Sequence, residues 1–193
     1  MAASKVTTKK GDRGQTRSIA GDIHSKTHPI MECCGRLDEL RAQTALLRLE
    51  LTDFEHEEAG EVAAFLYWIL HVYFLIGTEC NDPLAKKPEY RYQAISQRHL
   101  ERLEDYQTYL EDLVVLSKDF IVSASNPMAA RFDVLCTVTR TFERSVVALK
   151  EAIPDFDAQH IIAFTNRLSD FFFVVARLFD DGTSLPVNYS VLD

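Results

Sequence analysis

The chain has 193 residues and a mass of 22.0 kDa, the size of one compact domain. Apolar residues make up 47% and charged residues 26%, with 7 Gly and 6 Pro, which excludes disordered, collagen-like and fibrous classes. A net charge of −8 repels nucleic acid and anionic membranes unless basic residues cluster.

They cluster at the start. Residues 1–26 hold Lys5, Lys9, Lys10, Arg13, Arg17 and Lys26 against Asp12 and Asp22 only, a local charge of +4 that leaves −12 on the remainder. A basic arm on an acidic body suits a small anion better than a duplex, which needs a broad basic face. Neither nucleic acid nor a membrane is expected as a partner. Gly11, Gly14, Gly21 and Pro29 interrupt residues 1–30, so irregular backbone is expected there, neither helix nor stable strand. The first residues lack the apolar core of a signal peptide, although their basic, acid-poor composition admits a trimmed organelle presequence; a cytoplasmic protein is expected.

The next segments read as five helices. Leu37, Leu40, Leu47 and Leu51 share one face of the first. The second carries the apolar run Val62 to Ile76 and stops at Asn81-Asp82-Pro83. This run is shorter than the roughly 20 residues of a membrane span, so a central helix buried all round is expected, with His71 as a satisfied core histidine. The third covers about 93–116, with Ile95, Leu103, Tyr106, Leu110 and Leu113 inward. The fourth opens at the cap Asn126-Pro127 and closes at Pro154, and the fifth runs from about Asp157 to Phe179. An all-α five-helix bundle follows, as a single domain of arm (1–30), bundle (31–180) and C-terminal tail (181–193). The spare apolar faces of helix two point to cover by the other helices or by a second subunit. Cys33, Cys34, Cys80 and Cys136 show no metal spacing and are expected as buried free thiols.

Three stretches carry chemistry. Thr7-Thr8-Lys9-Lys10-Gly11-Asp12-Arg13-Gly14-Gln15-Thr16 combines glycines that let amides approach a ligand with Thr and Lys donors, as a polyphosphate requires, yet it fits neither the P-loop nor the dinucleotide pattern. A flexible tail is the competing reading. On helix four Asp133, Thr137, Arg140 and Arg144 share a stripe, with Glu143 three residues from Arg140; on helix five Asn166, Asp170, Phe173 and Arg177 do the same. Two arginines on one stripe can grip phosphate; interhelical salt bridging is the alternative. No histidine metal pattern, serine elbow or catalytic triad is present in the sequence.

Together with Gly35-Arg36-Leu37-Asp38-Glu39-Leu40, Arg140-Thr141-Phe142-Glu143-Arg144, Asn166-Arg167-Leu168-Ser169-Asp170 and Ala176-Arg177, the arm resembles the PduO-type ATP:corrinoid adenosyltransferases from about Lys5 to Arg177. The resemblance implies a trimeric five-helix bundle with ATP between the arm of one subunit and the helices of its neighbour. It also implies transfer of the 5′-deoxyadenosyl group of ATP to Co(I) of cobalamin or another reduced corrinoid, with Mg²⁺, releasing triphosphate. A corrinoid reductase and a cobalamin-dependent client enzyme are the protein partners it admits. By the same resemblance Thr8, Lys10, Gly11, Asp12, Gly14, Thr16 and Lys26 wrap the nucleotide, Arg140 contacts triphosphate, Asn166 completes the site, Glu143 and Arg144 buttress it, Asp38 belongs to the catalytic set, and Phe120 crowds the corrinoid's lower face.

The chain departs from the family pattern at Lys10, which replaces a threonine, and at Cys136, which replaces the arginine that would pair with Asp38. Thr141 and Ser123-Ala124-Ser125-Asn126 depart as well. A catalytically impaired paralogue, acting as an ATP- or corrinoid-binding carrier, sensor or partner subunit, is therefore the alternative.

Overall fold

The structure, a computed structural model, describes residues 7, 9–116, 120–180, 183 and 185–192. In the arm, β1 (Gln15–Arg17) and β2 (Ile23–Ser25) pair antiparallel with Thr16 opposite His24. This short hairpin was not expected from the sequence. It closes because Gly21 takes φ +90°, open to glycine at no steric cost, while Ser18 donates its amide to Asp22 at 2.9 Å. The helices are α1 (Pro29–Glu50), α2 (Ala59–Asn81), α3 (Gln97–Glu111), α4 (Pro127–Ala152) and α5 (Gln159–Phe179). The all-α bundle is thus the observed architecture.

Helix starts follow local chemistry. His28 Nδ1 accepts the Ile30 amide at 3.2 Å ahead of Pro29, and Asn126 Oδ1 accepts the Ala129 amide at 3.0 Å ahead of Pro127. α3 is shorter than expected because Ser96 and His99 form a reciprocal capping box. Ile95 therefore enters the core from the preceding loop, and Leu113 lies beyond the helix, exposed.

α1 packs on α2 and α4, α4 on α5, and α5 on α3. The ion pair of Arg131 with Glu50 and the bond from Asn126 Nδ2 to the Phe179 carbonyl at 2.7 Å show that α4 runs antiparallel to α1 and to α5. Phe164, Leu168, Phe171, Phe172 and Val175 of α5 are fully buried, and each such side chain contributes roughly 1.5–3 kcal/mol. α5, not α2, is the most enclosed helix. α2 buries one face through Val62, Leu66, Ile69, Tyr73 and Ile76, while Tyr67 and Phe74 are 53% and 64% exposed. His71 is exposed beside Tyr67, its Nδ1 at 2.8 Å from the Tyr67 carbonyl, and the buried histidine is His99. α2 has 23 residues and a mean hydropathy of 1.6 in its apolar window, so by length and composition it meets the criterion for a span that the shorter run had failed. Its inner face belongs to the core.

Among the buried polar groups of this core, Arg177 and Glu79 carry ionisable side chains held by polar partners. Arg177, 4% exposed, donates to Asp133 of α4 at 2.7 Å and lies 3.6 Å from Asp180. Glu79, 6% exposed, accepts the Ile95 amide at 2.8 Å. After α5, β4 (Leu185–Pro186) pairs antiparallel with β3 (Ile121–Ser123), so part of the segment expected as a tail is tied to the chain before α4. The sequence also places a stop for the fifth helix before Asp181-Gly182, two residues that lie outside the described ones. The cysteines are free, Cys33, Cys80 and Cys136 buried and Cys34 half-buried.

Burial pushes the Glu79 carboxyl above the usual glutamate range, with the Ile95 amide and Arg91 pulling it back. A raised acid contributes its full stability below the unfolded pKa, about 4.3, and loses it as pH rises through the folded value. Glu79→Gln keeps an acceptor for Ile95 and removes the charge. Urea unfolding across pH should show the variant gaining on the parent as pH rises and then reaching a plateau; a gain confined to acid would contradict the sign.

Candidate functional site

The first candidate surface is the arm. Lys9, Lys10, Gly11, Arg13, Gln15, Thr16, Arg17 and Ile23 line a cleft of about 620 Å³. Gly14 adopts φ +77°, and its carbonyl accepts the Lys26 amide at 2.9 Å, which brings the two ends of the glycine turn together. A side-chain carbon at Gly11 would stand 3.2 Å from Lys26 Nζ, so glycine there lets the ammonium lie against the loop. Asp12 is exposed and Thr16 half-buried. The structure thus brings Lys10, Gly11 and Thr16 to one concave basic surface; Thr8 lies outside the described residues.

Two contacts that sequence reasoning did not foresee hold the arm to the bundle, and a third steadies Asn81 within it. The Ile19 amide donates to Asn81 Oδ1 at 2.5 Å, Asn81 Nδ2 donates to Cys34 Sγ at 3.2 Å, and Lys86 pairs with Asp22 at 2.6 Å. Asn81 was legible only as a helix stop, because its second role depends on α2 ending beside the arm.

The second candidate surface lies between α4 and α5. Arg140, Glu143, Arg144 and Val147 of α4 face Asn166, Ser169 and Asp170 of α5 across a cleft of about 440 Å³. The two stripes read from sequence therefore meet, and they divide in function. Toward one end Asp133 and Arg177 form the interhelical salt bridge of the alternative reading. Arg140 has no ion pair or hydrogen bond among the described residues and is exposed. No ion pair joins Arg140 to Glu143 either, contrary to expectation. Burial pushes the Glu143 carboxyl up, with Arg140 pulling it back. Arg144 donates to Thr141 Oγ1 at 2.9 Å, so Thr141 orients an arginine. The cleft can hold an anion by charge and donors, with carboxylates at hand for a cation.

Asp38 and Phe120 stand apart. Asp38 is not left unpaired by Cys136, since Arg41 on its own helix lies 3.5 Å away; it lines a separate cleft with Arg17, Ile19, Tyr73 and Phe74. Phe120, 85% exposed, precedes β3 at the Asn126 end of α4. Arg140 lies roughly 20 Å further along that helix at 1.5 Å per residue, and the arm joins the opposite end, at Pro29 of α1.

The family described as Cobalamin adenosyltransferase matches residues 6–179. The chain belongs to the cobalamin adenosyltransferase family. It is 32% identical over 178 residues to a corrinoid adenosyltransferase of Bacillus subtilis, which covers 90% of this chain and 86% of that one. It is 30% identical over 177 residues to the corrinoid adenosyltransferase PduO of Citrobacter freundii, covering 91% of this chain and 50% of that longer protein. Among solved structures, a phenylalanine-to-histidine variant of a PduO-type ATP:corrinoid adenosyltransferase from Lactobacillus reuteri, complexed with cobalamin and ATP, matches with a TM-score of 0.80 at 25% identity over 96% of each chain. The arm and the α4/α5 cleft both carry side-chain donors and cations.

Asn81→Ala removes the acceptor for the Ile19 amide. That amide should exchange with solvent more than tenfold faster, given about 1–3 kcal/mol for a lost bond of this kind, while amides in the core of α5 keep their protection; unchanged exchange at Ile19 would remove Asn81 as the anchor.

Proposed function

We propose that this chain is a corrinoid adenosyltransferase whose α4/α5 cleft holds the triphosphate of ATP while the arm of a neighbouring subunit wraps the nucleotide. It transfers the 5′-deoxyadenosyl group to Co(I) of cobalamin or a related reduced corrinoid. Cobalt attacks the ribose C5′ carbon, the C5′–O bond breaks, and inorganic triphosphate leaves with the electron pair. The nucleophile comes with the substrate, which accounts for a site without a catalytic triad. The protein's work is to hold C5′ in line with cobalt and to stabilise the charge building on the leaving group. The observation that carries this reading is Arg140, a cation with no ion pair or hydrogen bond among the described residues, facing Asn166 across a cleft of ATP-compatible chemistry.

Arg140 takes the leaving triphosphate, with Arg144 held toward the cleft by Thr141, and Asn166 supplies an amide from the opposite wall. Thr8, Lys10, Gly11, Asp12, Gly14, Thr16 and Lys26 form the wrapping arm. Mg²⁺ carried in with ATP would neutralise phosphate charge. Among the described residues no trio of His, Cys, Asp or Glu forms a cage. Glu143, half-buried and without an ion pair among the described residues, fits the neighbouring carboxylate. Phe120 presents its ring to the corrinoid's lower face, where an apolar surface displaces a donor ligand and favours reduction of cobalt. Asp38 acts from the α1/α2 face with Arg41.

Within one subunit the arm cleft and the α4/α5 cleft share no lining residue, and Phe120 sits at the far end of α4. A homotrimer that apposes them makes one complete site at each interface. It also covers the exposed aromatic face of α2, Tyr67 and Phe74. The free thiols suit a reducing compartment, which supports a cytoplasmic enzyme. A corrinoid reductase supplies the electron, and a cobalamin-dependent client consumes the product.

Arg140→Ala should keep its unfolding free energy within about 0.5 kcal/mol, as for an unpaired surface group. With ATP, Mg²⁺ and chemically reduced cob(I)alamin under anaerobic conditions, its turnover should fall about 10²–10³-fold. Undiminished corrinoid conversion and triphosphate release would end the assignment. Lys26→Ala and Arg140→Ala subunits, each nearly inactive, should recover activity when unfolded together and reassembled. About a quarter of the interfaces in an equal mixture then combine an intact arm with an intact cleft; a site built within one subunit would recover none.

A further inference from the structure

We propose that Ser125 and Asp180 are positioning residues that set Phe120 for its contact with the corrinoid. The inference rests on the corrinoid-facing reading of Phe120 given above.

Phe120 lies on a short stretch of chain that no helix supports. It is 85% exposed, so side-chain packing does not hold it, and its place depends on the backbone around it. Hydrogen bonds on either side of β3 fasten that backbone, beside the bond of Asn126 Nδ2 to the Phe179 carbonyl. The Val187 amide donates to the Phe120 carbonyl at 2.9 Å, extending the pairing of β3 with β4. Five residues on, the amide and the hydroxyl of Ser125 both donate to Asp180 Oδ1, each at 2.6 Å. Thr183 Oγ1 donates in turn to Ser125 Oγ at 2.7 Å. One serine thereby joins the Phe120 strand to the end of α5 and to the chain that returns as β4.

The anchor beneath it is rigid. Asp180 is 1% exposed and faces Arg177, whose guanidinium is bound to Asp133 of α4. A desolvated carboxylate that accepts two short bonds beside a buried cation has little freedom to rotate. The Phe120 backbone is therefore referenced to the α4/α5 pair, the same pair that carries Arg140 and Asn166. Ser125 belongs to the stretch Ser123-Ala124-Ser125-Asn126 where this chain departs from the family pattern, so here a hydroxyl and a buried acid hold the Phe120 strand.

The geometry predicts a selective effect. Ser125→Ala removes the hydroxyl bond to Asp180 and the acceptor for Thr183 while the Ser125 amide bond remains, so folding is retained. The KM for cob(I)alamin should rise about three- to tenfold, the scale of one ordinary hydrogen bond lost at a distance from the ligand, with the KM for ATP unchanged; Ser125→Thr should restore the parent value. The decisive measurement is a double-mutant cycle with Phe120→Ala. If the serine acts through Phe120, Ser125→Ala adds nothing once the ring is gone. The proposal is overturned by equal effects of Ser125→Ala in both backgrounds, by a parallel rise in the KM for ATP, or by parent kinetics in Ser125→Ala while Phe120→Ala is impaired. Parent corrinoid kinetics in Phe120→Ala itself would instead overturn the reading of Phe120, and the positioning role with it.

Discussion

The arrangement of this molecule depends on the Arg177 guanidinium, held almost without solvent between Asp133 of α4 and Asp180 at the end of α5. The guanidinium and Asp180 are both desolvated, so removing Arg177 leaves a buried carboxylate without its counter-charge, while Asp133, 37% exposed, is partly screened by solvent. The value of this cluster is in register more than in net stability. Apolar contacts among Phe132, Phe172 and Phe179 tolerate small slips, whereas a charged bond between α4 and α5 does not. With that register set, Arg140 and Glu143 come opposite Asn166 and Asp170, and the same anchor reaches through Ser125 to the strand that bears Phe120.

The chemistry is distributed in a way that matches its charge. The body is acidic, yet the arm presents a basic concave surface with Lys9, Lys10, Arg13 and Arg17, while the α4/α5 cleft sets Arg140 and Arg144 beside Glu143 and Asp170. Clustered positive groups are electrostatically costly to an isolated subunit and favourable to a polyanionic ligand. The arm is pinned by Asn81 and by the Lys86–Asp22 pair near the end of α2, so its position is preorganised within the subunit. Preorganisation lowers the ordering cost of binding.

The outer face of α2 follows the same logic. Arg48 lies 4.8 Å over the Tyr67 ring and Arg41 5.9 Å over Phe74, so the exposed aromatics carry cations on their faces and present a mixed surface. Such surfaces, apolar in body and charged at the edge, are characteristic of subunit contacts. The cleft that holds Asp38 opens on this face.

The sequence by itself determined the five helices and the α4 cap, because apolar spacing and the Asn126-Pro127 signal act within a few residues. It also determined the two polar stripes and the basic arm, and the ordered motifs that carry the family likeness. What only the tertiary structure decided rests on contacts between residues distant in the chain. α2 turned out half-covered, since its apolar composition is the same whether a neighbour lies against one face or all of them. His99, not His71, is the buried histidine, because the capping box with Ser96 depends on how the loop after α2 returns to the core. Asp38 found Arg41 in the absence of an arginine at Cys136. The division of one stripe into an ion pair at Asp133 and Arg177 and an unpaired Arg140 depended on the antiparallel register of α4 and α5. Helical periodicity assigns residues to a face, but only packing assigns each one a partner.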